Sequence, residues 1–155
     1  MDRVDRRILA LLQKDCSVPV AEIAERVGLS KAPCWRRIRS LQESGVIKDT
    51  VALLDARALN VGTTVFVTVR TDDHSAAWFG RFVGAVREIP EVTEIYRMSG
   101  EVDYLLRIVV PGIDAYDVVY KKLIASVHCL DVSASFALET IKYTTALPLT
   151  YLPVA

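Results

Sequence analysis

The chain is 155 residues long, 52% hydrophobic and 25% charged, with 19 basic and 19 acidic side chains and a formal net charge of zero. That length holds one domain or two small ones. The composition excludes a disordered, collagenous or coiled-coil chain, and the balanced charge supplies no overall field toward nucleic acid or an acidic membrane. No run approaches the roughly 18 apolar residues of a spanning helix. The start, Met1-Asp2-Arg3-Val4-Asp5-Arg6-Arg7, alternates in charge and does not resemble a signal peptide. Cys16, Cys34 and Cys129 are widely spaced, with neither a CxxC nor a zinc-ligand pattern. A reduced cytoplasmic chain is therefore expected, in which the cysteines act as small apolar residues rather than redox or metal groups.

Asp2 is placed to cap a helix running to about Gln13, with Asp5 at capping-box spacing. Val4, Ile8, Leu11 and Leu12 share one face of it, with Leu9 beside them. Asp15 to Val18 reads as a turn, and Pro19 suits the first positions of a helix over Val20–Val27. That helix is expected to bury Val20, Ile23, Ala24 and Val27. Gly28 ends it, since glycine takes the left-handed C-cap without steric cost. Ser30 is expected to N-cap a third helix to about Ser44, stopped by Gly45. Val46-Ile47 and Thr50 to Leu54 read as short extended pieces, a minimal β-wing, before a linker over residues 55–61.

The character then changes. Gly62 to Thr71 alternates, with Val65, Val67 and Val69 on one face. Ser75 to Glu88 is helical, with a stripe of Trp78, Phe79, Phe82, Val83 and Val86. Strands are expected at Glu91 to Met98 and Asp103 to Val110, joined by a turn over Ser99–Val102. Asp114 is placed to cap a helix with Tyr116, Val119, Tyr120, Leu123 and Val127 inward, and Asp131 to Tyr143 reads as a long last strand. The order βαβ, turn, βαβ implies an α+β chain: a ferredoxin-like βαββαβ sheet with both helices on one face, following an N-terminal winged helix-turn-helix. The expected division is 1–50 for the helix-turn-helix, 51–61 for strand and linker, 62–143 for the sheet domain and 144–155 for a tail.

The third helix carries the chemistry. From Ser30 to Leu41 it holds Lys31, Arg36, Arg37 and Arg39 and no acid. On the second helix of a helix-turn-helix, such groups grip phosphates and reach guanine edges in the major groove, and Ser30 with the helix N-terminus can donate to phosphate. The plainer alternative is a solvated face. Trp35 and Cys34 could touch bases or the preceding helix, core or scaffold packing being the favoured reading of Trp35. Residues 1–50 hold 10 basic and 7 acidic side chains, and residues 51–155 hold 9 and 12, so the zero is +3 joined to −3. No catalytic cluster, metal set or cofactor motif competes: His74 and His128 lack sequence-local partners. Asp103 is open between a turn-forming group and a ligand-facing one.

Asp5-Arg6-Arg7-Ile8-Leu9, Glu22-Ile23-Ala24, Val27-Gly28-Leu29-Ser30, Arg36-Arg37-Ile38, Gly45-Val46-Ile47 and Gly100-x-x-Asp103-Tyr104 together resemble the Lrp/AsnC (feast/famine) family, in order and from residue 2 to about 150. The resemblance implies a DNA-binding head joined to a regulatory domain of the RAM/ACT type that responds to amino acids. Pro33-Cys34-Trp35-Arg36-Arg37 and Ser135-Phe136-Ala137-Leu138-Glu139 are similar to a bacterial subgroup with a cysteine-responsive member, which implies L-cysteine or another small amino acid as effector. It also implies an effector site between dimers, at the regulatory sheet edge, formed by Met98, Ser99, Gly100, Glu101, Asp103 and Tyr104, whose backbone donors suit a carboxylate and whose Asp103 suits an ammonium. Ser133 and Ser135 would line its side-chain end; ordinary strand alternation explains them equally. Family members dimerise through their sheets and assemble into octamers or other rings, and the Val65/Val67/Val69 face is compatible with this. The expected function is a sequence-specific transcriptional regulator on double-stranded DNA, not an enzyme. The alternatives are an architectural DNA-binding protein without effector, or an amino-acid-sensing subunit of a metabolic enzyme.

Overall fold

Three helices come first in the computed structural model, which describes residues 1–152: α1 (Arg3–Leu12), α2 (Val20–Val27) and α3 (Lys31–Glu43). Asp2 caps α1 through a full capping box. Its Oδ1 accepts from the backbone N–H of Val4 at 2.8 Å and of Asp5 at 2.9 Å, while its own N–H donates to Asp5 Oδ2 at 2.9 Å. Gly28 closes α2 with φ +78°, a conformation that a Cβ disfavours. The Arg7 guanidinium donates to the carbonyls of Arg26 and Val27, covering the open end of α2. Ser30 has the extended backbone of an N-cap, but its side chain makes no capping hydrogen bond. Ile8, Leu9, Ile23, Ala24, Val27, Cys34 and Leu41 form the core between the helices.

The chain divides into two compact units, one made of residues 1–52 with the segment from Lys142 onward, the other of residues 53–141. The tail thus joins the helical unit. Gln13 and Leu147 exchange hydrogen bonds at 3.1 and 3.0 Å, Arg6 donates to Leu152 O at 3.0 Å, and Leu149 and Leu152 pack on the helical core. A short 3₁₀ turn spans Leu149–Tyr151, and residues 153–155 of the expected tail lie outside the described residues. The expected wing strands are absent from the described chain. Val46-Ile47 is too short to form a ladder, and the Ile47 N–H is spent on Leu41 O at 3.0 Å. The linker is more ordered than expected: Asp55 Oδ1 caps a turn by accepting from the N–H of Arg57 at 2.8 Å.

The second unit contains β1 (Thr63–Arg70), α4 (Ala76–Arg87), β2 (Val92–Arg97), β3 (Tyr104–Val110), α5 (Ile113–Ser126) and β4 (Asp131–Phe136). The sheet is antiparallel in the order β2-β3-β1-β4, which is the ferredoxin-like arrangement expected. Asp114 is not the cap of α5, because Gly112 precedes the helix and Asp114 lies in its first turn. The last strand is shorter than expected: it ends where β1 runs out of partners, Ala137 N–H to Thr64 O at 2.9 Å being the final rung.

Val65, Val67 and Val69 face the helices, not the open side, so they are not available to a sheet-to-sheet contact. With Tyr104, Leu106, Ile108 and Val110 they pack beneath Trp78, Phe82 and Val86 of α4 and Val119 and Leu123 of α5. Ring centroids of Phe82 lie 4.9 Å from both Trp78 and Tyr104. The other sheet face carries Phe66, Thr68 and Arg70 of β1 opposite Leu105 and Arg107 of β3 and Ser133 and Ser135 of β4. No helix of the described residues is long and apolar enough to cross a membrane. Phe82→Ala is expected to cost about 3–5 kcal/mol through the cavity it leaves, read by denaturant unfolding with near-ultraviolet circular dichroism of the Trp78 cluster. A loss under about 1 kcal/mol would show that this core does not hold the sheet unit.

Candidate nucleic-acid interface and effector cavity

Helical phase sorts the residues of α3 into two faces. Cys34 and Leu41 are buried and Ile38 packs against them, which fixes one side inward. Trp35, Arg36 and Arg39 therefore lie exposed away from it, while Lys31 is exposed in the first turn and Ser30 at the head of the helix. Arg37 is in register with the buried residues. Its Nη1 sits 2.7 Å from Asp2 Oδ2 and 2.8 Å from Asp5 Oδ1, joining α3 to the capping box of α1. Arg37 is thus drawn toward α1 as a fastener, whereas Arg36 beside it makes no ion pair among the described residues. Arg39 Nε bonds Glu43 Oε1 at 2.7 Å, and its guanidinium lies 5.3 Å from the centre of the Trp35 ring. Trp35 is 48% exposed, which sets aside core packing, the favoured of its two readings, and leaves the other, contact with bases, open.

The electrostatics follow from these partners. The Asp5 backbone N–H foremost, and then the Arg37 guanidinium, hold the Asp2 carboxyl below the ordinary aspartate value, while Asp5 and then Asp2 raise that of Arg37. Burial pushes the Cys34 thiol up, and the Cys129 thiol likewise. Both are therefore protonated at neutral pH.

The second unit places the expected effector residues less uniformly. The β2–β3 turn is held by Met98 N–H to Asp103 O at 2.8 Å and Asp103 N–H to Val69 O at 3.0 Å, with Gly100 at φ +117°. Asp103 is first a turn-forming group: its Oδ2 accepts from the Thr71 N–H at 2.8 Å. Its Oδ1 lies 3.9 Å from His74 Nδ1 and stays at the surface. Met98, Ser99, Gly100 and Glu101 are exposed, whereas the Tyr104 ring is buried among Trp78, Phe79 and Phe82. Ser133 and Ser135 sit on β4, two strand spacings (roughly 9–10 Å) from β3. Within one chain they do not meet the loop, and Ser133 Oγ bonds Asp131 at 2.9 Å.

A cavity of about 240 Å³ opens beside the turn, lined by His74, Ala76, Trp78, Phe79, Arg97 and Tyr104. It is smaller than the roughly 300–1,000 Å³ typical of drug-sized ligands, on the scale of one amino acid. His74 and Arg97 escaped the sequence reading because neither belongs to a motif; only the hairpin and the α4 cap bring them together. A second cavity of about 380 Å³ lies between the end of α5 and the start of β4, lined in part by His128, Cys129 and Asp131, and contains none of the expected effector residues.

Residues 1–48 match the model for winged helix-turn-helix DNA-binding domains, and residues 64–147 match the model for the Lrp/AsnC ligand-binding domain. The chain belongs to the Lrp/AsnC family. It is 47% identical over 150 residues to the DNA-binding transcriptional activator DecR of Escherichia coli K12, covering 96% of this chain and 99% of that one. An AsnC family transcriptional regulator from Agrobacterium tumefaciens superposes with a TM-score of 0.96 at 57% identity, over 99% of this chain and 100% of that one. A Neisseria meningitidis transcriptional regulator solved as an L-Met complex superposes at 0.93 with 34% identity, over 99% of each chain.

Two predictions follow from the Arg37 clamp. A double-mutant cycle on Arg37→Ala and Asp5→Ala is expected to give a coupling of about 1 kcal/mol in unfolding of the helical unit. In parallel, Arg36→Ala lowers the salt slope of DNA binding by about one ion, and Arg37→Ala leaves it unchanged. Equal slope losses for both would restore Arg37 to the interface. The second prediction concerns acid. A depressed folded-state value means that the Asp2 charge stabilises fully above the unfolded value, about pH 4, and is lost as pH falls through the folded one. Between pH 5 and pH 3 the wild-type melting temperature should fall more than that of Asp2→Asn, which caps α1 but lacks the charge. Parallel curves would exclude the clamp as a source of acid sensitivity.

Proposed function

We propose that this Lrp/AsnC protein is a cytoplasmic, sequence-specific transcriptional regulator without enzymatic activity, which reads double-stranded DNA with α3 and is controlled by a small amino acid. The observation that carries the first part is the outward face of α3, where Arg36 and Arg39 stand away from the buried Cys34 and Leu41, with Lys31 exposed in the first turn. In a two-fold dimer, two such helices enter successive major grooves of a near-palindromic site.

The cavity beside the β2–β3 turn supports the second part. Arg97 in its lining supplies donors for a carboxylate, His74 in its lining has Asp103 Oδ1 3.9 Å from its Nδ1, and Trp78, Phe79 and Tyr104 form an apolar wall. L-Cysteine is the first ligand to test, and the L-Met complex of the Neisseria relative supports a small amino acid of this class. The exposed sheet face around Phe66 and Tyr96 supports a dimer, and dimers building an octamer would let a ligand at the turn alter how several DNA-binding heads line up. Such control needs a difference in ligand affinity between assemblies of about 1–3 kcal/mol.

A thermal-shift screen of the twenty amino acids on the full chain tests this reading. One or a few small amino acids should raise the melting temperature, since a ligand bound only by the native state stabilises it. Arg97→Ala and Asp103→Asn should remove that shift while leaving ligand-free DNA binding intact; the asparagine keeps an acceptor for Thr71. No response to any amino acid, with weak sequence preference on DNA, would instead mark an architectural protein.

A further inference from the structure

Trp35 is the feature of the helical unit that neither the core nor the ion pairs account for. The chain has two tryptophans. Trp78 is 2% exposed and its indole N–H donates to His128 O at 2.7 Å, whereas Trp35 is 48% exposed on α3. It is the fifth residue of α3, in the N-terminal half that a recognition helix pushes toward base edges. Lys31 and Arg39 stand one turn to either side of it on the same face, with Arg36 adjacent. The Arg39 guanidinium over its ring, itself tied to Glu43, limits the indole's rotation. A large apolar ring ringed by cations suits a polyanion whose groove exposes an apolar group.

We infer that Trp35 is a base-reading residue, which packs against the 5-methyl group of a thymine in the major groove. This rests on the reading of α3 as the recognition helix. The thymine methyl is the apolar group that base pairs display in that groove. The flanking cations meet phosphates, which position the helix without specifying sequence. The indole then supplies discrimination that the cations do not, and its preset orientation reduces the ordering needed on binding.

The test begins by selecting a duplex from a randomised pool with the full-length protein. Each thymine of the selected half-site is then replaced by uracil, which removes only the methyl. At one position per half-site, uracil should weaken wild-type binding about fourfold, as expected for one buried methyl-sized group. The same replacement should leave Trp35→Ala binding unchanged. Trp35→Ala should keep the wild-type salt slope and its affinity for random duplex, and Trp35→Phe should retain part of the thymine preference. Acrylamide quenching gives an independent readout, because the accessible tryptophan signal comes from Trp35: the selected duplex should protect it and random duplex less so. Uracil effects identical in wild type and Trp35→Ala, or no protection by the selected duplex, overturn the assignment while leaving DNA binding by α3 in place. Failure of the wild-type protein to enrich any duplex overturns both.

Discussion

The helical unit depends on one ionic junction. Asp2 and Asp5 close the first turn of α1 on each other's backbone N–H groups, and the same two carboxylates receive Arg37 from α3. A capping box alone orders one helix end. Extended by an arginine, it also fixes the rotation of the neighbouring helix, because Arg37 can reach both carboxylates only when its side of α3 faces inward. Trp35, Arg36 and Arg39 are then turned outward by helical phase. The junction lies at a half-exposed edge, where charge pairs add modestly to stability. Its larger consequence is orientation, which a recognition helix needs more than it needs extra stability.

The sheet unit is organised by a different constraint, the two faces of one four-stranded sheet. The inner face is closed by α4 and α5 around the Trp78–Phe82–Tyr104 stack. The outer face keeps Phe66 and Tyr96 exposed beside the Arg107–Glu94 pair at 3.2 Å. The β2–β3 turn is rigid where it meets β1, through Asp103 and Thr71, and open where Ser99 to Glu101 project. A ligand seated there would press on a turn that is already braced, which favours transmission to a neighbouring copy over local deformation.

Local signals in the sequence were legible because they are local. The Asp2–Asp5 spacing, Gly28, the strand alternation and the two βαβ patterns each involve residues a few positions apart, and the fold follows from their order. The pairing of Arg37 with Asp2 and Asp5 joins residues 35 and 32 positions apart, which a run of cations on one helix does not announce. Cys34, Ile38 and Leu41 set a phase that puts residue 37 nearer them and residue 36 opposite, with residue 35 on the flank between. The end of β4 was not legible from its own sequence. No Pro or Gly interrupts residues 131–143, but a strand stops where its partner stops, and β1 begins at Thr63. Ser133 and Ser135 lie two strands from the turn within one chain, so only a neighbouring copy could bring such serines to it.

The charge balance gains a physical meaning from the pairing. Four cations on α3 suggest a strong grip, yet Arg37 is neutralised by α1 and Arg39 is shared with Glu43. Among the described residues, Lys31 and Arg36 of α3 carry no ion pair. Each phosphate contact contributes about 0.9 to the salt slope, so Lys31, Arg36 and the shared Arg39 give α3 about three contacts at most, a weak, easily screened attachment. Heads joined in one assembly raise each other's effective concentration, and avidity then exceeds single-head affinity by roughly 10²–10⁴ when the geometry allows simultaneous engagement. Weak heads on a proposed ligand-sensitive assembly are therefore a coherent pair: the weaker the single grip, the more completely the spacing between heads decides whether DNA is bound.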